Sequence, residues 1–299
     1  MEVLAIFGPT AVGKTAVAIE LAELLRERGE DPVAVNCDSI QVYEGLELLS
    51  GAASDGERER LEHRLLSFVP VSEEFSAGRY ARLAHAEIDA LLEAGRRPIV
   101  VGGTGLYLRA ALAELEMRPP VPAAVRDAVE ADLEHRGAAA LHAELDDDLA
   151  AGVHPNDAKR ISRLTELQRL GIYPHRSSEG LWSADGLRRP TRLVGLTTER
   201  DELARAIDAR VDAMVRAGAA DEVARAAAAG ASRTARAAIG FEELIAGDVD
   251  RLKAAQRAFA RRQLTWMRKM QGVETLERAG RSDRDVAEQI AAGGSIRGA

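Results

Sequence analysis

The sequence predicts an α/β protein in which a parallel β-sheet is flanked by helices. Apolar runs at residues 3–7 and 32–37 have the length of buried strands, and residues 15–28 between them repeat apolar side chains at helical spacing. Alternating strands and helices are typical of βαβ units, in which the strands pair in parallel. The chain has 299 residues, is 46% apolar and contains one cysteine, so it can bury a large core but cannot depend on disulfides.

The following elements continue this alternation. Residues 80–91 carry apolar side chains at helical spacing, and they lead to a buried strand that ends at Gly102. Residues 191–196 have the apolar character of a further strand. The sequence after them is interpreted as helices with breaks at Gly230 and Gly247. The sheet is therefore predicted to take strands from both ends of the chain.

A helical insertion is predicted between these two parts. The segment from Pro119 to Pro190 begins with closely spaced prolines, contains charged helical stretches and has no convincing buried strand. We therefore predict a core made of residues 1–118 and 190–299, with a helical insertion of residues 119–189.

The motif GPTAVGKT, at residues 8–15, stands between the first strand and the first helix. It matches the P-loop pattern GxxxxGK[ST] in the context that the pattern requires. Its glycines let successive amides and the helix N-terminus face one anion, while Lys14 adds a charge and Thr15 can hold Mg²⁺. The fold is thus predicted to be P-loop NTPase-like, with a di- or triphosphate bound by Gly8, Thr10, Ala11, Val12, Gly13, Lys14 and Thr15.

The reaction is not given by this loop alone. Nucleotide hydrolases of this class commonly place an aspartate after a second buried strand to hold magnesium, whereas here that strand ends in Gly102, Gly103 and Thr104. Asp38 follows the strand at residues 32–37, and ligands of parallel sheets gather at the carboxyl ends of the strands. Asp38 is therefore a candidate functional acid beside the phosphate loop, with a turn-capping aspartate as the alternative.

Seven segments along most of the chain carry a resemblance to a known family. They are GPTAVGKT, DSIQVY from Asp38, HRLL from His63, GGTGLYL from Gly102, HPNDAKRISR from His154, AIGFEEL from Ala238 and RRQLTWMRK from Arg261. In this order they resemble the tRNA dimethylallyltransferases, also called isopentenyl-diphosphate:tRNA transferases.

The resemblance implies transfer of a dimethylallyl group from its diphosphate to the exocyclic amine of the adenosine adjacent to the anticodon in tRNA, with release of diphosphate. Asp38 would act as base for that amine. Lys14 and a magnesium ion at Thr15 would stabilise the leaving diphosphate. Thr104 would stand at the reaction centre, although it could also be the N-cap of the helix near Leu106.

The resemblance also implies contacts with the anticodon arm of tRNA. They fall in the DSIQ segment and in the insertion, where a solvated helix face is the alternative. The implied contact residues are Asp38, Ser39, Ile40, Gln41, Arg126, Lys159, Arg160, Ile161, Ser162 and Arg163.

Although the net charge is −8, residues 251–273 hold seven basic residues and no acid, and Arg257, Arg261 and Arg268 share a helical face with Leu264.

Some residues invite other interpretations. Cys37 is expected to be a small buried side chain, and Trp266 is expected to pack in the core rather than stack on a base. The histidines lack metal-ligand spacing. Where the family typically has a lysine, the chain has Ala52, which removes a positive charge near the substrate.

Three alternative functions are open at this point. They are an adenylate isopentenyltransferase that acts on free adenine nucleotides, a small-molecule kinase that uses ATP, and a non-catalytic nucleotide-gated RNA-binding module. The long insertion and the basic C-terminal segment argue against the first. No run of the sequence reaches the ~18 apolar residues of a membrane span, and no signal peptide is recognised. A cytoplasmic protein without membrane contact is expected, as a monomer by the family resemblance.

Overall fold

The structure, a computed structural model, describes residues 1–115, 118–173 and 186–293. Their strands form one six-stranded sheet in the order β3-β2-β4-β1-β5-β6, and every neighbouring pair is parallel. This confirms the predicted α/β class with a parallel sheet. The strands are β1 (Val3–Phe7), β2 (Pro32–Asn36), β3 (His63–Arg64), β4 (Arg97–Gly102), β5 (Thr191–Thr197) and β6 (Val273–Glu277).

The central strands are covered on both faces, which explains their nearly continuous apolar sequences. All residues of β1 and β2 are buried. Phe7, the last residue of β1, pairs with Gly102 of β4 and Gly195 of β5, and Asn36 at the end of β2 pairs with Val101. In this register the loops that follow β1, β2 and β4 leave the same edge of the sheet.

Two strands were not predicted. The sequence after residue 196 was interpreted as helical, but Val273–Glu277 forms β6, parallel to β5 at one edge of the sheet. Its sequence, VETLE, alternates with charged residues, because an edge strand buries only part of its surface. The other missed strand, β3, has two residues, which is too short for a recognisable pattern.

Helices of the larger unit cover the sheet. α1 and the last helix share one apolar cluster with β1, built around Val17, Leu21, Val286 and Ile290. The helices are α1 (Lys14–Glu27), α2 (Glu47–Ser50), α3 (Asp55–Arg60), α4 (Ala77–Glu93) and α5 (Gly105–Leu112) before the smaller unit. After it follow α10 (Arg200–Arg216), α11 (Ala219–Ala228), α12 (Arg233–Arg236), α13 (Phe241–Ile245), α14 (Val249–Lys269) and α15 (Asp283–Ala291).

The chain divides into two compact units, one of Met1–Leu115 with Glu179–Ala299 and one of Glu116–Ser178. The smaller unit overlaps the insertion predicted at residues 119–189, and its described residues contain helices and no strand. Its buried side chains form two small clusters, one around Val129 and one around Leu149. Its helices are α6 (Ala123–Arg136), α7 (Ala138–Ala143), α8 (Asp147–Ala150) and α9 (Ala158–Arg169).

Among the described residues, no helix combines the length and the apolar character that crossing a membrane would require.

Candidate active site

The GPTAVGKT motif connects the central strand β1 to α1. Ala11 (φ 64°) and Gly13 (φ 84°) have left-handed backbone conformations, which lets consecutive N–H groups turn toward one point. Gly13 is the N-cap of α1 and supplies no capping side chain. The first N–H groups of the helix are therefore available to an anion, as the motif predicts.

Lys14 begins α1 and folds back over the loop. Its Nζ donates to the carbonyl oxygens of Gly8 at 3.1 Å and Pro9 at 2.8 Å. Burial, and then the nearby Arg210 cation, lower the pKa of Lys14 to about 8, while the negative charge of Asp38 acts in the opposite direction. A bound anion at this place would restore the preference of Lys14 for its charged form.

Asp38 lies in a turn that is held by Asn36. The Asn36 side chain accepts from the N–H of Asp38 at 3.0 Å and donates to the Asp38 carbonyl oxygen at 3.2 Å and to the Leu65 carbonyl oxygen at 2.9 Å. The N–H of Ile40 donates to Asp38 Oδ1 at 3.0 Å. These bonds fix the position of the Asp38 carboxylate at the sheet edge. The polar residues that follow the strand are the ones that make them.

Thr104 approaches the same carboxylate from the loop after β4. Its hydroxyl donates to Asp38 Oδ2 at 3.3 Å and accepts from the N–H of Ser39 at 3.3 Å. Thr104 occupies the N-cap position of α5, but its side chain makes no capping hydrogen bond. The hydroxyl thus contacts the Asp38 turn and does not cap the helix, while its role at the reaction centre stays a prediction.

Arg210 is a charged site residue that the sequence analysis missed. It belongs to α10 and is partly buried, with Nη1 donating to Thr10 Oγ1 at 3.0 Å and Nη2 donating to the Ser50 carbonyl oxygen at 2.8 Å. Burial lowers the pKa of its guanidinium, and Asp38 opposes this effect. A second cation therefore lies beside the loop, where it lowers the pKa of Lys14 and is itself stabilised by the negative charge of Asp38.

Gln263, from α14, was also missed. Its Oε1 accepts from the N–H of Thr10 at 2.8 Å, and its Nε2 donates to the carbonyl oxygen of Gly103 at 2.8 Å. The side chain is buried, with a residue exposure of 4%. One amide therefore links the phosphate loop to the residue before Thr104, and the Thr10 N–H is occupied by protein rather than free for a ligand.

The rest of the DSIQ segment also contributes to this edge. Ser39 and Ile40 provide the N–H groups described above. Gln41 Nε2 donates to the carbonyl oxygens of Ser50 at 3.3 Å and Gly51 at 3.0 Å. Because Arg210 donates to the same Ser50 carbonyl oxygen, Gln41 and Arg210 hold one segment of chain next to the site.

Two neighbouring residues agree with the packing roles expected for them. Cys37 is fully buried, and burial raises the pKa of its thiol, so a nucleophilic thiolate is disfavoured. The indole of Trp266 packs directly on Gly105, where a Cβ would collide with the ring.

The candidate RNA contacts of the smaller unit lie on or near α9, apart from Arg126 on α6. Lys159 and Arg160 are exposed, and Arg160 pairs with Asp157 at 3.4 Å. Arg163 pairs with Glu166 at 2.8 Å and also donates to the Pro119 carbonyl oxygen.

The remaining members of this set differ in exposure. Ser162 is half-buried, and Arg126 donates to the Val121 carbonyl oxygen at 3.4 Å. The Ile161 side chain is fully buried in the cluster with Val129 and Leu141. A side chain that fills the core is not available to RNA, so the contact predicted at Ile161 could be made only by its main chain and stays a prediction.

The basic helix α14 is partly neutralised. Arg257 pairs with Asp208, and Lys253 pairs with Asp212 at 2.6 Å. Arg261 and Arg268 are exposed, while Leu264 is half-buried against α10. Of the three arginines predicted to share a face, two therefore point to solvent and one is used within the protein.

The predicted magnesium ligand Thr15 is the second residue of α1. Within residues 1–115, 118–173 and 186–293, no group of three or more His, Cys, Asp or Glu side chains could hold a metal ion. A single hydroxyl fits Mg²⁺ only where phosphate oxygens and water complete the coordination, which is the usual arrangement for this ion at a phosphate site.

Comparisons with known proteins show the family to which the chain is related. Residues 41–270 match the family described as IPP transferase. A tRNA dimethylallyltransferase of Rhodospirillum centenum is 45% identical over 287 residues, covering 89% of this chain and 88% of that protein. The crystal structure of a full-length tRNA isopentenylpyrophosphate transferase from Bacillus halodurans is 31% identical, covers 97% and 96% of the two chains, and has a TM-score of 0.69.

A eukaryotic dimethylallyltransferase, crystallised acting on tRNA, has the same fold. Its TM-score is 0.76 at 23% identity, with 99% of this chain and 81% of that chain covered. The matched family segment begins at Gln41, so it contains Thr104, Arg210 and Gln263 but neither Asp38 nor the phosphate loop. The match with the relative from Rhodospirillum centenum covers 89% of the chain. The chain belongs to the IPP transferase family, whose curated members among these relatives are tRNA dimethylallyltransferases.

Proposed function

We propose that this protein transfers a dimethylallyl group from dimethylallyl diphosphate to the exocyclic amine of the adenosine adjacent to the anticodon in tRNA, and releases diphosphate. The observation that carries the proposal is the presence of a carboxylate and two cations at one edge of the sheet. Asp38 and Thr104 form an acceptor side, Lys14 and Arg210 form a donor side, and the Asp38 charge acts on both cations.

On the acceptor side, Asp38 removes the proton of the amine. An aromatic exocyclic amine is a poor nucleophile because its lone pair is delocalised into the ring. As the new carbon–nitrogen bond forms, the amine proton passes to a carboxylate oxygen of Asp38, a step of general base catalysis. The Ile40 N–H and the Thr104 hydroxyl keep that carboxylate in place.

On the donor side, the bond between the allylic carbon and the bridging oxygen breaks, and the electron pair leaves with diphosphate. Negative charge grows on the diphosphate oxygens during this step. Lys14, Arg210 and the N-terminal amides of α1 are already in position before the reaction, so they stabilise that charge without reorganising.

Magnesium is proposed as the cofactor of this step. The Thr15 hydroxyl would be its protein ligand, next to the diphosphate oxygens. When bound, the ion would supply further positive charge to the leaving group.

The acceptor adenine must leave the stacked anticodon loop to reach Asp38. Extrusion of a base costs a few kcal/mol, and contacts with the surrounding RNA compensate for it. The exposed Lys159 and Arg160 of the smaller unit, and Arg261 and Arg268 of α14, are the proposed phosphate contacts. The names of the curated relatives support tRNA over a free adenine nucleotide as the acceptor.

The test is an incubation with dimethylallyl diphosphate labelled in the prenyl group. Parallel reactions contain unmodified tRNA, AMP, or ATP with no acceptor. Label is expected in tRNA alone, at the exocyclic amine of the adenosine next to the anticodon. Label in AMP alone would instead identify an adenylate isopentenyltransferase, and ATP consumption without an alkylated product would show phosphoryl transfer or ATP hydrolysis in place of prenyl transfer.

Diphosphate affinity is expected to depend on pH through Lys14. The pKa of Lys14 is about 8 in the free protein, and a bound anion raises it. The contribution of Lys14 to diphosphate affinity should therefore be constant below pH ~8. Above that pH the affinity should fall by up to about tenfold per pH unit. Calorimetric titration of inorganic diphosphate from pH ~7 to ~9.5 measures this. Lys14→Gln should remove the dependence assigned to Lys14, and an unchanged profile would assign it to another group.

A further inference from the structure

Glu222 is a buried carboxylate to which the proposed reaction gives no role. It belongs to α11, and its exposure is 4%. Its Oε2 accepts from the N–H of Leu48 at 2.8 Å, and its Oε1 accepts from the N–H of Leu49 at 3.2 Å. These two residues are the second and third of α2, whose N-cap residue supplies no side-chain cap. One carboxylate therefore satisfies two amides that the start of a helix leaves unpaired.

The helix α2 depends on such contacts for its position. It has four residues, and a helix of this length is not stable in water without tertiary contacts. The buried side chain of Leu49 anchors it in the core, but apolar packing is non-directional. The amides that Glu222 accepts point along the helix axis, so the carboxylate fixes the direction of α2 as well as its place.

The other end of α2 holds the guanidinium of Arg210. The carbonyl oxygen of Ser50, the last residue of α2, accepts from Arg210 Nη2 at 2.8 Å. Gly51 follows with φ 60°, and a Cβ at this residue would overlap the guanidinium and lie 2.8 Å from its Cζ. Nη1 of the same guanidinium donates to Thr10 Oγ1 at 3.0 Å. The guanidinium is therefore held at two places, the end of α2 and the phosphate loop.

We propose that Glu222 is a positioning residue, which acts through α2 to hold the Arg210 guanidinium beside the phosphate loop. A cation stabilises a developing negative charge most when it is held in place before the anion binds. The bonds to Ser50 and Thr10 use two of the five N–H groups of the guanidinium, so donors remain for a diphosphate. Glu222 itself touches neither the loop nor the ligand.

The inference rests on the proposed function, which assigns Arg210 to the leaving diphosphate. Its test uses binding alone. Calorimetry gives the dissociation constant of inorganic diphosphate for the wild-type protein, for Glu222→Gln, for Arg210→Gln and for the double variant. Prenyl transfer to tRNA by the wild-type protein is measured in parallel, so a failure of the proposed function is recognised separately.

Each single variant is expected to weaken diphosphate. Arg210→Gln should do so about tenfold or more, since a charge-assisted hydrogen bond is lost. Glu222→Gln should do so by about three- to tenfold, because glutamine offers one acceptor oxygen to the two α2 amides. Removal of a negative charge would by itself favour an anion. Weaker binding by Glu222→Gln therefore reports a change in position, and unchanged or stronger binding would overturn the proposal.

The double variant separates a positioning role from a general effect on the fold. If Glu222 acts through Arg210, its replacement should change the dissociation constant by less than about twofold once residue 210 is glutamine. Two factors that multiply in the double variant would show independent effects and would overturn the proposal. Wild-type affinity in Arg210→Gln would also overturn it, because Arg210 would then not act on diphosphate.

Asp285→Asn is the matched control. Asp285 is another carboxylate at the start of a helix, where it accepts from the Ser282 N–H of α15 at 2.9 Å, and it makes no contact described for α2. Its replacement should leave the dissociation constant unchanged. If Glu222→Gln does not fold, Glu222→Asp is measured instead, since its shorter side chain keeps the charge but not the reach. A loss that disappears in the Arg210→Gln background supports the proposal, and a loss that persists there opposes it.

Discussion

Replacement of Asp38 by asparagine is expected to lower the rate of prenyl transfer by about 100- to 10,000-fold, the usual contribution of a general base. Asparagine is nearly isosteric, and its side-chain oxygen can still accept the Ile40 N–H that Asp38 accepts at 3.0 Å. The turn should therefore keep its shape while the proton acceptor is lost. Single-turnover transfer to tRNA measures the rate, and a filter-binding assay should show tRNA affinity within a few-fold of the wild type.

Asp55→Asn is the control for this experiment. Asp55 is an exposed residue in the first turn of α3 and makes none of the contacts described for the site. Its variant should transfer at the wild-type rate. A rate for Asp38→Asn within a few-fold of the wild type would show that another group takes the proton, and a parallel loss of tRNA binding would give Asp38 a binding role instead.

Replacement of Lys14 by glutamine is expected to lower kcat/KM for dimethylallyl diphosphate by about 100- to 1,000-fold, the range found when one preorganised donor to a developing negative charge is removed. Glutamine can keep a hydrogen bond to the loop carbonyls of Gly8 or Pro9, which Lys14 contacts at 3.1 and 2.8 Å. The loss is therefore one of charge more than of loop shape. Steady-state kinetics over a range of donor concentrations separate kcat from KM.

Lys253→Gln provides the matched control, because Lys253 is engaged with Asp212 on the helices α14 and α10. A partly exposed ion pair of this kind contributes little to stability, so its loss should leave kcat/KM nearly unchanged. If Lys14→Gln alters only the affinity for tRNA, Lys14 does not act on the leaving diphosphate and the proposed donor side is wrong.

The parts of the site that the sequence predicted are those fixed by local chain geometry. The phosphate loop is a contiguous motif between a strand and a helix. Asp38 and Thr104 each directly follow a buried strand or its glycines, and the ends of parallel strands meet at one edge. Recognition of the strands was therefore sufficient to bring these residues together, although their roles came from the family resemblance.

The missed residues reach the site by tertiary packing of distant helices. Arg210 is 200 positions from the Thr10 hydroxyl that it contacts, and Gln263 is 253 positions from the Thr10 amide. Nothing in the helical pattern around either residue distinguishes it from neighbouring polar positions.

The burial of the Ile161 side chain was not predicted, because the whole segment was assigned to RNA. A helix that contacts a ligand with one face must pack with another, and Ile161 belongs to the packed face of α9. The apolar spacing of Ile161, Leu164 and Leu167, all of them buried, was the signal that separates the two faces.

The most direct test of the central claim is a crystal structure of this protein with the anticodon stem-loop of an unmodified tRNA and a non-hydrolysable thiolodiphosphate analogue of dimethylallyl diphosphate. We expect the diphosphate on the loop of residues 8–15, the allylic carbon between Lys14 and Asp38, and the exocyclic amine of the extruded adenine within hydrogen-bonding distance of the Asp38 carboxylate. An adenine bound elsewhere, or an analogue whose prenyl group points away from Asp38, would contradict the account.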